Sequence, residues 1–172
     1  MKKYSQLLLG FAVILVGLLG ISSQAHAVTH YVQSSTPTIF VHGWGSSSHA
    51  EEKMANAARD AGVTKTIVRA NVDRKGKVTF NHQIPANAVN PIVEVNLEDN
   101  KLSAYQDDYT QGYHHGGGYV KNVVLALEKQ HHYKQINLVG HSMGNLEIIN
   151  YINDNVNDKS LPQVAYLVAI AG

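Results

Sequence analysis

The sequence predicts an α/β protein, a mostly parallel sheet covered by helices on both faces. Three observations predict it. Compact apolar runs of strand type recur at 37–41, 92–95, 136–139 and 164–171. Helix-forming stretches at 50–61, 119–130 and 146–152 stand between several of them. Alternation in this order favours parallel strands joined by crossover helices. No repeat, low-complexity tract or interdomain linker interrupts the chain, so the part after the amino-terminal segment reads as a single domain.

That segment comes first. Lys2 and Lys3 precede an apolar run from Leu7 to Ile21, and Ala25-His26-Ala27 supplies the small-x-small pattern at which signal peptidases cut. A bilayer-spanning helix takes about 20 residues, and the run has 15. Residues 1–27 are therefore predicted to be a signal peptide cleaved after Ala27, with an amino-terminal membrane anchor as the alternative. Removing 27 of 172 residues leaves 145; both signal lysines go with them, so 12 of the 14 basic residues face 13 acidic ones and formal net charge passes from +1 to −1. That balance gives no footing for nucleic acid. Cysteine is absent, so an exported chain of this kind holds together without disulfides. Val28 stands where a lipoprotein would need its cysteine. With 44% hydrophobic and 16% charged residues, the chain is globular in composition, and the expectation is a secreted or cell-surface bacterial protein.

After a short leader at 28–35, Pro37-Thr38-Ile39-Phe40-Val41 is the first strand, followed at once by the loop His42-Gly43-Trp44-Gly45. Ser48 and Glu51 stand at capping-box spacing ahead of helix formers from Ala50 to Ala61, which Gly62 stops. Strands at 64–72 and 77–84 flank Asp73-Arg74-Lys75-Gly76, a hairpin turn with glycine where a positive φ is expected. Ile92-Val93-Glu94-Val95 marks a strand within 91–97, and the tyrosine-bearing stretch 100–118, glycine-rich at its end, reads as loop. From Tyr119 to Gln130, Val120, Val123, Val124, Ala126 and Leu127 share one helical face. Ile136 to Val139 is a strand, and Leu146, Ile148, Ile149, Tyr151 and Ile152 belong to a helix. Leu161-Pro162 then breaks the chain before a last strand, Val164 to Ala171, whose unbroken apolar character predicts burial on both faces.

Between the strand at 136–139 and the helix after it lies Gly140-His141-Ser142-Met143-Gly144. In a G-x-S-x-G at such a turn, the glycines permit a bend sharp enough to hold a serine in strained backbone with its hydroxyl facing a substrate. Ser142 is the candidate nucleophile. Acyl transfer also needs N–H donors for the oxygen that becomes negative. The amide after the nucleophile, that of Met143, is one candidate, and that of Trp44, on the glycine-flanked loop after the first strand, is the second. The Trp44 ring itself is expected to pack against the sheet.

His42 to Gly45 after one strand and Gly140 to Gly144 after a later one, each opening a helix, together resemble the α/β-hydrolases. Among these they are similar to lipase-like members with an H-G-x-G oxyanion loop and a G-H-S-M-G elbow, the supporting residues being His42, Gly43, Gly45, Gly140, His141 and Gly144. The resemblance covers roughly 36–172. More narrowly, the exported leader, the hairpin after the first helix and Tyr113-His114-His115-Gly116-Gly117-Gly118 resemble the cell-surface α/β-hydrolases of Gram-positive bacteria. The resemblance implies a doubly wound α/β-hydrolase fold and a serine hydrolase that acts on an ester or similar acyl bond through an acyl-serine intermediate. It further implies a small-molecule or lipid ester as substrate, no cofactor and no metal, and loose association with the cell surface. Asn145 stands where a second glycine is common, and is expected to crowd the helix against the strand.

In that family the triad runs Ser, then Asp or Glu, then His. After Ser142 the chain holds Glu147, Asp154 and Asp158 and no histidine. These acids are expected to face solvent on, or just past, the helix behind the elbow. His141 should diverge from Ser142, and His42 or His114 would reach it only through a topology the family does not use. A domain of this class commonly needs about 200 to 250 residues. Together with the apolar last strand, this predicts that the carboxyl-terminal part of the fold, with the acid and the base, is missing and that the fragment is inactive. The alternative is a catalytically dead surface or binding protein. Neither His114-His115 beside Asp107-Asp108 nor His131-His132 has metal-ligand spacing. The first pair is expected in a glycine-rich loop, the aspartates in a solvated turn, and the second pair at an exposed helix end, where imidazolium suits the dipole.

Overall fold

The structure, a computed structural model, describes residues 31–171; the predicted signal peptide or anchor at 1–27 lies outside the described residues. One sheet contains β1 (Thr38–Val41), β2 (Ile67–Val72), β3 (Val78–Phe80), β4 (Ile92–Leu97), β5 (Gln135–His141) and β6 (Gln163–Ile170), in the order β3-β2-β4-β1-β5-β6. Neighbours are parallel except β2 and β3, which form the predicted antiparallel hairpin. At its turn Gly76 takes φ +79, where a side chain would strain the backbone.

Among the described residues three α-helices cover the sheet: α1 (Glu52–Asp60), α2 (Tyr109–Glu128) and α3 (Met143–Asp154). On one face Val68, Val93, Val95, Ile136 and Leu138 pack with Val120, Val123 and Val124 of α2 and Ile148 and Tyr151 of α3. On the other, Phe40, Ile92 and Val139 pack with Ala55 of α1. This is the two-faced, mostly parallel arrangement that the alternation of elements predicts. Burying both faces of β1, β4 and β5 removes their apolar area from water, worth about 25 cal/mol per Å².

The register positions the site. Val41 lies beside Gly140 across β1 and β5, so the loops leaving these two central strands emerge together at the carboxyl edge of the sheet, where open α/β sheets bind ligands.

Several expectations need correction. The segment 109–118 is helix, not loop: α2 starts at Tyr109, with the Asp108 carboxylate accepting from the Gln111 amide at 3.1 Å. His114 and His115 are therefore on a helix, and Asp108 caps it. The glycines serve helix packing. A Cβ on Gly116 would lie 2.6 Å from Glu147 Oε1, and one on Gly117 2.8 Å from the Tyr151 nitrogen, so their low helix propensity, about 1 kcal/mol each, is offset by the close approach of α3. Ser47 rather than Ser48 caps the 3-10 turn Ser48–Ala50, and α1 begins only at Glu52. The hairpin strands are shorter than predicted, 67–72 and 78–80. β6 is an edge strand whose outer side no described element covers, leaving Tyr166 73% and Val168 49% exposed, against the burial its composition predicts.

Candidate active site

At the end of β5 the backbone reverses through Ser142, whose φ of 51° and ψ of −119° are costly for any residue with a side chain. The Ser142 amide donates to the Ile170 carbonyl at 2.9 Å, and the Ser142 carbonyl accepts from the Asn145 amide at 3.0 Å. The glycines around it are steric requirements. A Cβ on Gly144 would strike the Val41 carbonyl oxygen, and one on Gly43 would lie 3.0 Å from Ser142 Cβ. Asn145 is nearly buried, and its Nδ2 donates to the Ile170 carbonyl at 3.0 Å. Helix and strand meet closely at Gly140, where a Cβ would lie 2.9 Å from the backbone Cα of residue 145.

His42 builds the facing loop. Fully buried, it accepts the Leu97 amide at Nε2 (3.1 Å), which leaves the hydrogen on Nδ1 for the Gly43 carbonyl at 2.9 Å. Burial lowers its pKa, in keeping with this neutral tautomer. The Gly45 amide donates to the Asn100 carbonyl at 2.7 Å, and Asn100 Nδ2 to the Ser46 carbonyl at 2.6 Å. The loop is thus clamped to the segment after β4. Neither the Trp44 nor the Met143 amide donates to a protein acceptor among the described residues.

Ser142, Met143, Trp44, Tyr109, Tyr113, Asn145, Leu146 and Ala171 line a cavity of about 430 Å³. Trp44 is 53% exposed, with Lys101 Nζ 5.1 Å from its ring centre, so its ring walls the cavity instead of packing against the sheet. Tyr109 and Tyr113 stack with ring centres 6.1 Å apart. Sequence reasoning missed both; their i,i+4 spacing becomes a signal only when the segment is read as helix. A larger hollow of about 630 Å³, lined by Lys75, Lys77, Phe80 and Lys129, shares none of these residues.

The acids after Ser142 divide. Asp154 is on the surface, paired with His114 Nδ1 at 2.8 Å, and the Asp158 carboxylate accepts from the Ser160 amide at 3.1 Å. Glu147 contradicts the expectation of solvent exposure: it is fully buried, neither carboxyl oxygen has a hydrogen-bond partner, and burial pushes its pKa up to about 8. Its place on the α3 stripe with Ile148 and Tyr151 explains this. The His141 imidazole lies 3.7 Å from Glu51 Oε1. Glu51 is another buried carboxyl, raised to about 7 by burial with the nearby Glu94 charge adding to the effect. No histidine or carboxylate hydrogen-bonds to the Ser142 hydroxyl among the described residues. Nor does any group of three potential ligands among them suit a metal ion, and no described helix is long and apolar enough to cross a membrane.

Comparison with known proteins bears on this geometry. The crystal structure of the lin2722 gene product of Listeria innocua is 28% identical, with a TM-score of 0.66 over 80% of this chain and 51% of its own. A Lactobacillus plantarum WCFS1 protein assigned as a cell surface hydrolase is 17% identical, with a TM-score of 0.65 over 78% of this chain and 52% of its own. The latter shows the fold alone. The chain spans about half the length of both solved proteins. No curated protein matches it significantly. The family model described as "Alpha/beta hydrolase of unknown function (DUF915)" matches residues 25–172, and with the doubly wound sheet described above the chain belongs to that α/β-hydrolase family.

Proposed function

We propose that the chain is the nucleophile-bearing part of a secreted or cell-surface serine hydrolase that opens an ester or similar acyl bond through an acyl-Ser142 intermediate. The observation that carries this reading is the strained Ser142 backbone at a cavity that Trp44 and Met143 also line, the amides of both having no protein acceptor among the described residues. Ser142 Oγ attacks the substrate carbonyl carbon, and the carbonyl electron pair moves to oxygen. The Trp44 and Met143 N–H groups receive that oxyanion, each donor worth about 3 to 4 kcal/mol in reactions of this type. Collapse expels the alcohol, and water then releases the acid. Trp44, Tyr109, Tyr113 and Leu146 give the acyl part an apolar wall, which suits a small-molecule or lipid ester. The Oγ proton passes to a histidine supplied from outside residues 31–171. Surface location is supported by the amino-terminal signal pattern and by the assignment of the Lactobacillus relative.

A fluorophosphonate probe tests the reading on the full-length protein. Label is expected on Ser142 and lost in Ser142→Ala; folded protein that takes no label refutes it. One observation favours a second reading, a non-catalytic surface-binding protein: no base meets Ser142 among the described residues. Failure to label is the outcome that reading expects.

A further inference from the structure

The two candidate oxyanion donors sit on separate segments, the loop after β1 and the turn after β5, so the hole depends on what holds those segments in register. Backbone packing at Gly43 is one tie. A second crosses the same gap through side chains. Glu51 ends the 3-10 turn that continues the Trp44 loop and is 2% exposed. Its Oε1 faces Nδ1 of His141, the residue before Ser142, at 3.7 Å. That nitrogen is buried, has no hydrogen-bond partner, and lies 3.6 Å from the place a Gly43 Cβ would occupy. The nearby Arg69 is engaged elsewhere, with Nη2 at 2.7 Å from Glu52 and 3.9 Å from Glu94. Among the described residues His141 is therefore the one cation-forming side chain within 4 Å of Glu51. At 3.7 Å the two groups form an ion-pair contact and not a hydrogen bond, between a buried carboxyl and the inner nitrogen of a ring whose side chain is 40% exposed.

We propose that Glu51 is a positioning residue of the oxyanion site, acting through His141 to fix the distance between the Trp44 loop and the nucleophile turn. This rests on the reading of Ser142 as nucleophile. Misplacement of reacting groups by about 1 Å can cost 100-fold in rate, so a tie across this gap has kinetic leverage. Asp or Glu in the triad sense is not the role assigned: Glu51 touches neither Ser142 nor substrate.

Time courses of fluorophosphonate labelling of the full-length protein separate the rate constant, which reads site geometry, from the end point, which reads the folded fraction. Glu51→Ala is expected to lower the rate constant about tenfold with the end point kept. His141→Ala should do the same, and the double variant should be no slower than either single one, because contacting residues couple. Glu51→Gln, which keeps a polar group of the same size opposite Nδ1, should recover most of the rate. Should Glu51→Ala not fold, Glu51→Met fills the volume without a polar atom and carries the same expected loss. Unchanged rate constants with lowered end points, or effects that multiply in the double variant, overturn the proposal. Wild-type protein that takes no label overturns the nucleophile reading instead, an outcome distinct from a labelled wild type whose variants keep its rate.

Discussion

Replacing Glu147 by glutamine should remove a large part of the loss of stability that the protein suffers as pH rises from about 4.5 to 8. Glu147 is fully buried on α3 against Gly116, without a partner for either oxygen. Burial, with a smaller contribution from the Asp99 charge, raises its pKa from 4.5 to about 8. Below 4.5 the folded and unfolded chains both hold the proton. Between 4.5 and 8 the unfolded chain releases it while the folded chain keeps it, so the unfolded state binds fewer protons and stability falls with pH. At about 1.4 kcal/mol per pKa unit, the rise from 4.5 to about 8 corresponds to about 5 kcal/mol, comparable with the whole stability of a small domain. Urea unfolding of wild type and Glu147→Gln at pH 5, 6, 7 and 8 measures it. The two should unfold at similar urea concentrations near pH 5, and the variant should be the more stable by several kcal/mol at pH 8. Parallel pH profiles would refute the reasoning. Glu51, raised to about 7, adds a slope of the same sign in both proteins and so cancels from the difference.

Two further outcomes follow from the site. Gly144→Ala drives a Cβ into the Val41 and His42 carbonyls and should cost about 3 kcal/mol, within the range of overpacking; thermal denaturation with an unchanged Tm would contradict it. Trp44→Ala keeps the amide and removes only the exposed ring, so labelling of Ser142 by an apolar fluorophosphonate should need several-fold more probe for half-maximal rate while the maximal rate stays within about twofold, and a collapse of the maximal rate would show that the ring does more than wall the cavity.

The legible parts of the molecule were those whose cause is local in the chain. The nucleophile turn, the loop at 42–45 and the hairpin at Gly76 each declare themselves because a sharp backbone turn needs glycine at fixed offsets. The start of α2 is illegible for the opposite reason: Gly116 and Gly117 argue against a helix on propensity, and the Glu147 and Tyr151 they pack on lie 31 and 34 residues further along the chain. The charge of Glu147 argues for solvent, although Ile148 and Tyr151 place it on the buried stripe of α3. The size of the Trp44 ring argues for packing against the sheet, because large aromatic side chains are usually buried, whereas the cavity wall it forms depends on α2 standing beside it.

Asn145 shows how the strained turn is held. A non-glycine residue at φ 51°, ψ −119° costs about 1 to 3 kcal/mol and persists only where its surroundings over-determine it. The Ile170 carbonyl, at the end of β6, receives both the Ser142 amide and the Asn145 side-chain amide, using both its lone pairs on the turn. At about 1 kcal/mol net per hydrogen bond, these two bonds and the Asn145 amide bond to the Ser142 carbonyl together match the strain. Glycine at 145, as in the common lipase elbow, would keep the last of these and lose the bond from the side chain. Asparagine here carries its own cost, a buried Oδ1 without a partner. In return, the side-chain amide anchors the last residue of β6 to the helix that carries the nucleophile.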